Sequence, residues 1–206
     1  MQQCHHALSD TQQHELLGIA YRQGEQLGRL LDQLLAAAAI DRGQGRQARR
    51  SLVDAAALTE DAGRAARLAH PDHHIIIAVA GPLLVRVDPL AVTRILGNLL
   101  DTAAAYSKAG TTIRLSAGQD GGHALVAVQD QGPGIPPADR DRIFQRYARL
   151  DQQPHQHQPG FGLGLYIARR LAYANHAGLR ATNPPAVGGT RFELRLPLAS
   201  PTPDTH

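Results

Sequence analysis

The segment Asp130-Gln131-Gly132-Pro133-Gly134-Ile135-Pro136 constrains this chain more than any other stretch, because it puts an acidic side chain at the end of a predicted buried strand. The apolar run at residues 125–128 predicts that strand. A carboxylate in this position can accept a hydrogen bond from an exocyclic amine. Glycines beside it let the backbone approach a flat ring closely. Aspartate and glycine also mark ordinary turns, so the segment by itself leaves a plain surface loop open.

The composition is typical of a globular protein with one core. The chain has 206 residues, of which 43% are hydrophobic and 19% charged, and its net charge is +3. The basic residues are scattered among few aromatic side chains, which argues against nucleic-acid binding. The histidines do not stand at zinc-ligand spacing with Cys4, which is the only cysteine. We therefore expect a reducing, cytoplasmic setting, with no membrane segment and no signal peptide.

A long amphipathic helix is predicted within residues 1–43, starting at the capping residue Ser9. Apolar and small residues follow one another three and four positions apart, which is typical of a coiled-coil seam. They are Leu17, Ala20, Gly24, Leu27, Leu31, Leu34 and Ala38. Because one helix cannot bury its own stripe, we expect a twin subunit or another protein to cover it. Packing on its own domain stays open. Residues 44–50 are rich in glycine and arginine and predict a hinge.

The middle of the chain alternates helical and strand patterns. We predict a helix at residues 52–68, a pair of strands around Gly81-Pro82 at residues 75–79 and 83–87, a helix capped by Asp88, and a hairpin at residues 111–128. Asn98 and Thr102 lie four residues apart on one face of the capped helix. That pair is either a solvated edge or a set of oxygen ligands for a magnesium-bound triphosphate.

The last third of the chain contains a second glycine-rich segment. A short helix is predicted between residues 136 and 149, followed by a polar, mobile loop at residues 151–159. Residues 160–165 then lead into a helix, and a helix N-terminus reached through glycines suits phosphate groups. Two closing strands follow at residues 179–182 and 191–197, the second with Arg191, Glu193 and Arg195 on an expected solvated face. Residues 199–206 are expected to be a disordered tail.

The order of these motifs resembles the ATP-binding catalytic domain of two-component sensor histidine kinases, within the wider family of gyrase-type ATPases. Residues 98–103 resemble its N box, residues 130–136 its G1 box, residues 143–147 its F box, residues 160–165 its G2 box and residues 188–192 its G3 region. The resemblance covers residues 51–198. It implies a two-layer α/β sandwich with a mixed sheet, the Bergerat-type fold, which binds ATP and Mg²⁺.

The resemblance also assigns roles to individual residues. Asp130 would bind the adenine amino group with support from Thr190, and Asn98 and Thr102 would face the metal. Arg149 is the candidate cation near the γ-phosphate, in or beside a lid formed by residues 151–159. The residues implied in nucleotide binding are Asn98, Asp130, Gly132, Gly134, Ile135, Tyr147, Gly160, Gly162, Leu163, Gly164, Leu165 and Thr190.

Three departures from the family pattern concern catalysis. Thr102 stands where the family has a second asparagine, and Ala105 stands where it often has a basic residue. Both differences affect metal and phosphate handling and leave adenine recognition intact. His14-Glu15-Leu16 matches only the start of the family's phosphoacceptor motif, on a helix resembling the second helix of the family's dimerisation bundle. We therefore expect the acceptor histidine on a partner or on a segment absent from this chain.

Three functions follow from these patterns. The leading hypothesis is a kinase domain that transfers the γ-phosphoryl group of ATP to a histidine, with a response regulator or an acceptor-bearing kinase as partner. The alternative is a catalytically degenerate nucleotide-binding module that regulates such a kinase or response regulator. A phosphorylating anti-sigma-type switch shares the domain but is less compatible with the long N-terminal seam.

Overall fold

The computed structural model describes residues 49–149, 162–184 and 188–199. It also describes six separate N-terminal positions, all helical: Leu17, Gly18, Gly24, Gly28, Leu35 and Ala38. The predicted coiled-coil seam, the hinge, most of the lid and the C-terminal tail therefore lie almost wholly outside the described residues. The boundaries predicted for the domain, the hinge and the tail stay a prediction.

Three helices and seven strands make up the described part of the chain. The helices are α1 (Ala55–Ala69), α2 (Pro89–Tyr106) and α3 (Gly164–Ala174). The strands are β1 (Ser51–Asp54), β2 (His74–Val79), β3 (Leu84–Val87), β4 (Thr112–Asp120), β5 (His123–Gln129), β6 (Gly178–Thr182) and β7 (Arg191–Pro197).

Five of the strands form one mixed sheet in the order β2-β4-β5-β7-β6. Strand β2 runs parallel to β4, and every other neighbouring pair is antiparallel. The helices pack on one face of this sheet, where alternate strand residues such as Leu115, Val128 and Leu194 are fully buried. The predicted two-layer α/β sandwich with a mixed sheet is thus confirmed. No described helix is both long and apolar enough to span a membrane.

Helix α2 is fixed at its start by the local sequence. The Asp88 carboxylate accepts hydrogen bonds from the backbone N–H of Leu90, at 3.0 Å, and of Ala91. Pro89 occupies the first turn, where its missing N–H costs nothing. The apolar stripe that includes Ile95 and Leu99 is fully buried. The predicted cap and helix are therefore both present, and they hold Asn98 and Thr102 at a defined place beside the sheet.

The predicted pairing of the two strands around Gly81-Pro82 is wrong. Strand β2 pairs with β4, whereas β3 pairs antiparallel with β1 in a separate two-stranded sheet. The reason is burial, because Ile75 is 6% exposed and packs under the helical layer only if β2 joins the main sheet. The predicted helix start at residue 52 is also wrong. Residues 51–54 are strand β1, and the Asp54 carboxylate caps α1 through the Ala56 N–H at 2.9 Å.

Two further expectations are corrected. The segment predicted as a short helix consists of two 3₁₀ turns, Pro137–Asp139 and Arg142–Phe144. Glu193 is not solvated but only 8% exposed. It accepts hydrogen bonds from Arg180 Nε at 2.6 Å and Arg191 Nε at 2.9 Å. Desolvation of Glu193 opposes ionisation, but the bonds and charges of these two arginines outweigh it and lower the pKa of Glu193.

Candidate functional site

A cavity of about 370 Å³ opens among the end of α2, the segment after β5, the first turn of α3 and the start of β7. Its walls are mostly apolar, with a few polar side chains between them. The lining residues are Thr102, Tyr106, Asp130, Pro133, Gly134, Ile135, Pro136, Ile143, Ala148, Arg149, Leu165, Asn183, Thr190 and Phe192. This cavity therefore brings together residues that are up to 90 positions apart in the chain, from Thr102 to Phe192.

Asp130 is the most tightly held polar group in the cavity and is 2% exposed. Its Oδ1 accepts hydrogen bonds from the N–H of Gly132 at 2.8 Å and the N–H of Thr190 at 2.9 Å. Its own N–H donates to the Thr190 carbonyl at 2.9 Å. Because both bonds to the carboxylate end on Oδ1, and no described residue donates to Oδ2, the second oxygen is available to a ligand.

Burial dominates the acidity of Asp130. Desolvation raises the pKa of its carboxyl group, and the two backbone N–H donors from Thr190 and Gly132 only partly offset that rise. The folded protein thus holds a proton on Asp130 more readily than the unfolded chain does. A donor that bonds Oδ2 would favour the ionised form, since hydrogen bonds to a carboxylate stabilise its charge.

Glycines are required on both sides of Asp130. A Cβ on Gly132 would lie 2.7 Å from the Tyr106 carbonyl oxygen, at the end of α2. A Cβ on Gly189 would lie 2.1 Å from the Asp130 carbonyl oxygen, and Gly189 has a φ of +73°. Both neighbours are backbone atoms, which cannot move aside as a flexible side chain does. The floor of the cavity therefore depends on side-chain-free backbone, as the glycine pattern predicted.

Asn183 also lines the cavity, and the sequence did not reveal it. Its Oδ1 accepts a hydrogen bond from the Ile135 N–H at 3.1 Å, and its Nδ2 donates to the Ile135 carbonyl at 2.9 Å. This pair holds the loop after Gly134, which has a φ of +78°. Asn183 follows strand β6 and precedes Pro184, a pattern that ordinary turns share. No signal in the sequence therefore distinguishes it from a turn residue.

Asn98 lies at the other end of the site, against the first turn of α3. It is 9% exposed, and its Nδ2 is buried without a hydrogen-bond partner. A Cβ on Gly164, the first residue of α3, would lie 3.4 Å from Asn98 Oδ1. Helix N-termini carry unpaired N–H groups and a partial positive charge. The structure thus places Asn98 next to the one helix end that the sequence assigned to phosphates.

Thr102 lines the cavity, but its hydroxyl group is already used. Thr102 Oγ1 donates to the Asn98 carbonyl at 2.7 Å, one turn back in α2. Its oxygen keeps lone pairs for a cation, whereas its proton is committed to the helix.

The donor set fits magnesium better than a transition metal. Within the described residues no group of three or more His, Cys, Asp or Glu side chains could hold a metal ion. Mg²⁺ is commonly bound by one or two protein oxygens together with substrate phosphates. The Asn98 amide offers one such oxygen, Oδ1, and its buried Nδ2 is a donor without a partner. Thr102 offers the second.

Other predicted site residues divide into two groups. Gly134, Ile135, Arg149, Leu165 and Thr190 line the cavity, whereas Gly160 lies outside the described residues. The other predicted residues are described but do not line the cavity: Asn98, Gly132, Tyr147, Gly162, Leu163 and Gly164. Leu163 is fully buried in a small cluster with Ile167, and Tyr147 is 55% exposed with the Arg146 guanidinium 4.8 Å from its ring centre. Gly162 has a φ of +66° and accepts a hydrogen bond from the Tyr147 N–H at 3.0 Å.

Comparison with known proteins connects this geometry to one family. The family model described as "Histidine kinase-, DNA gyrase B-, and HSP90-like ATPase" matches residues 87–200. The chain is 34% identical over 173 residues to "Sensor protein IrlS" of Burkholderia pseudomallei, covering 84% of this chain and 37% of that protein. It is also 34% identical over 175 residues to "Probable sensor histidine kinase TcrY" of Mycobacterium tuberculosis, covering 84% and 36%. The chain thus spans little more than a third of the length of these relatives.

Solved structures share the fold. The "Mycobacterial sensor histidine kinase MprB" is 31% identical with a TM-score of 0.63, covering 72% of this chain and 97% of that chain. A second structure, "ShkA full-length in complex with AMPPNP", has a TM-score of 0.73 at 25% identity, covering 94% of this chain and 40% of that chain.

The raised pKa of Asp130 predicts a stability difference between the wild type and D130N. The amide oxygen of the variant can still accept the N–H bonds of Gly132 and Thr190, without the cost of a buried charge. Below the pKa of Asp130 in the unfolded chain, about 3.9, the carboxyl group is protonated and its contribution to the stability of the wild type is fully present. That contribution is lost as the pH rises through the raised pKa of the folded protein. We expect D130N to be at least as stable as the wild type at pH 7 in urea unfolding. A D130N protein that is clearly less stable at pH 7 would contradict this account.

The close approach at Gly189 predicts different costs for two neighbouring glycines. Gly188 and Gly189 both have a positive φ, but a Cβ on Gly188 meets nothing within 4 Å. We expect G188A to lower the unfolding free energy by about 1–2 kcal/mol for its left-handed backbone, and G189A by about 1–3 kcal/mol more for the clash. Urea unfolding of both variants measures the difference. Equal losses of unfolding free energy in G188A and G189A would contradict this account, because they would show that the backbone at Asp130 moves away from residue 189 without a cost in stability.

Proposed function

This chain belongs to the family of histidine kinase-, DNA gyrase B-, and HSP90-like ATPases, and we propose that it transfers the γ-phosphoryl group of ATP to a histidine. It is the ATP-binding domain of a sensor histidine kinase, as the order of its motifs predicted. Because the chain spans little more than a third of its relatives, the activity, partners and acceptor of the whole protein belong to this proposal.

The observation that carries the proposal is the geometry of Asp130. Its Oδ1 is fixed by two backbone donors, so that Oδ2 offers a directed acceptor at the base of an apolar cavity. The exocyclic amine of adenine donates to this oxygen. Guanine carries a carbonyl oxygen at the same ring position, and that oxygen repels a carboxylate. Ile135, Ile143 and Phe192 supply apolar surface for the ring.

The phosphate end of the site is assigned to Asn98, Arg149 and the glycines around the start of α3. Asn98 and Thr102 would hold Mg²⁺, which when bound neutralises phosphate charge during transfer. Gly160, Gly162 and Gly164 let the backbone wrap the phosphates, and Arg149 supplies a cation at the cavity wall. These residues orient the triphosphate so that an unprotonated imidazole nitrogen can attack. A P–N bond then forms as the bond from the γ-phosphorus to the bridging oxygen breaks, and ADP leaves.

The partners follow from this activity. The acceptor histidine is supplied by a partner or by a segment absent from this chain, and a response regulator receives the phosphoryl group. The helix predicted at residues 1–43 would join this chain to a twin or to another kinase subunit. A cytoplasmic location suits a domain that consumes ATP.

A second candidate function rests on Thr102. Since its hydroxyl donates to the Asn98 carbonyl, the second metal-facing position offers one hydroxyl oxygen where the family has an amide. A domain that binds nucleotide but transfers slowly would act as a regulatory module docked to a kinase or response regulator. The two functions share adenine binding and differ in phosphoryl transfer.

Adenine recognition by Asp130 predicts the effect of D130N on nucleotide binding. We expect the wild type to bind ATP and D130N to lose at least about 1 kcal/mol of binding free energy, roughly fivefold or more in Kd. Isothermal titration calorimetry measures both. The control is D120N, whose exposed carboxylate pairs with Arg195 on a surface hairpin and should leave Kd unchanged. A wild-type protein that binds no adenine nucleotide would exclude both candidate functions.

The metal-facing position predicts the effect of T102N on phosphoryl transfer. We expect T102N to transfer phosphate from labelled ATP to an acceptor histidine protein faster than the wild type, with little change in Kd. The matched control is T93N, because the Thr93 hydroxyl makes the same bond one turn back in α2, to the Pro89 carbonyl at 3.0 Å, but is exposed outside the cavity. No transfer by either wild type or T102N favours the regulatory module.

A further inference from the structure

The end of helix α3 that is remote from the cavity is held by one buried side chain. Asn175 is 2% exposed, and its Oδ1 accepts a hydrogen bond from the Asp88 N–H at 2.7 Å. Its Nδ2 donates to the Leu171 carbonyl in the last turn of α3 at 2.9 Å. Because Asp88 caps the start of α2, Asn175 joins the C-terminal end of α3 to the N-terminal end of α2.

Arg50 reaches the same end of α3 from a distant part of the sequence. Its Nη2 donates to the Ala174 carbonyl at 2.7 Å, across 124 positions of the chain. A cation at the C-terminus of a helix is favourable for its dipole. Arg50 is the last residue of the segment predicted as the hinge and directly precedes strand β1. The start of the domain is therefore bonded to the end of α3 through the Arg50 side chain.

The opposite end of α3 lies at the cavity. Gly164 approaches Asn98, and Leu165 lines the cavity wall. At 1.5 Å per residue, the ten steps from Asp88 to Asn98 along α2 cover about 15 Å, and the eleven from Gly164 to Asn175 along α3 cover about 16 Å. The two helices thus run antiparallel with one contact at each end, so a shift of α3 along its axis changes both contacts together.

We propose that Arg50 and Asn175 are positioning residues for the phosphate end of the nucleotide site, and that Arg50 couples the N-terminal hinge to that site through helix α3. Asn175 fixes the axial register of α3 against α2. Arg50 adds a second bond, which a movement of the predicted hinge away from the domain would break. Breaking it frees α3 to shift relative to Asn98, while Asp130 keeps its bonds to Gly132 and Thr190. This inference rests on the proposed function only for the identity of the ligand.

Two neighbouring arginines allow a matched test in the full chain. Arg49 and Arg50 are both exposed, and among the described residues no hydrogen bond or ion pair joins Arg49 to α3. The variants are R50A, R50K and the control R49A. Each is titrated with ATP and with adenosine by calorimetry, because adenosine reports the Asp130 end of the cavity alone. We expect R50A to weaken ATP binding about threefold relative to R49A, as for one net hydrogen bond, with adenosine binding unchanged and R50K intermediate.

Amide hydrogen exchange without nucleotide gives a second readout. The Ile167 N–H donates to the Leu163 carbonyl at 2.9 Å in the first turn of α3, at the cavity end. We expect its exchange to be about threefold faster in R50A than in R49A, and faster still in N175A. Equal exchange and equal ATP-to-adenosine affinity ratios in R50A and R49A would overturn the inference. If the wild type binds neither ligand, the proposed function fails, and the exchange of Ile167 still decides whether Arg50 holds α3.

Discussion

The reciprocal bonding of Asp130 and Thr190 is the interaction on which the site depends. The Asp130 N–H donates to the Thr190 carbonyl, and the Thr190 N–H donates back to the Asp130 carboxylate. These bonds extend the β5–β7 ladder by one rung, so an element of the sheet also orients a ligand-binding oxygen. Gly189 makes this possible because any side chain there would overlap the Asp130 backbone. The central sheet and the Asp130 end of the cavity therefore form or fail together.

The two ends of the site differ in how far the hydrogen bonds within the protein already satisfy their polar side chains. At the Asp130 end, the Asp130 carboxylate is bonded to Thr190, and Asn183 is bonded to Ile135 through both its Oδ1 and its Nδ2. At the other end, the Asn98 amide has a buried nitrogen without a partner, and the Thr102 hydroxyl bonds its own helix. A buried polar group without a partner costs free energy until something bonds it. The Asn98 amide thus keeps one buried donor without a partner at the end of the site proposed for the triphosphate.

Local patterns in the sequence predicted much of this arrangement, and long-range contacts account for what they missed. Asp130 with its glycines and the Asp88 cap of α2 are encoded within a few residues, so their positions can be read directly. Glu193 was expected to be solvated, because period-two alternation cannot show that Arg180, from another strand, covers it. Asn175 and Asn183 resemble turn residues in the sequence, and their roles come from partners 87 and 48 positions away. The β1–β3 pairing was missed because burial under α1, rather than proximity in the chain, places β2 in the main sheet.

The parallel pairing of β2 with β4 also affects the order in which the protein is made. Strand β2 is synthesised before its only neighbour in the main sheet, and the helix α2 lies between them in the chain. Antiparallel neighbours such as β4 and β5 can close a hairpin at once, whereas β2 must wait while the ribosome adds more than thirty residues. Its run Ile75-Ile76-Ile77 is unpaired during that interval. The nascent chain therefore presents an apolar, β-branched stretch before its native partner in the main sheet has been made.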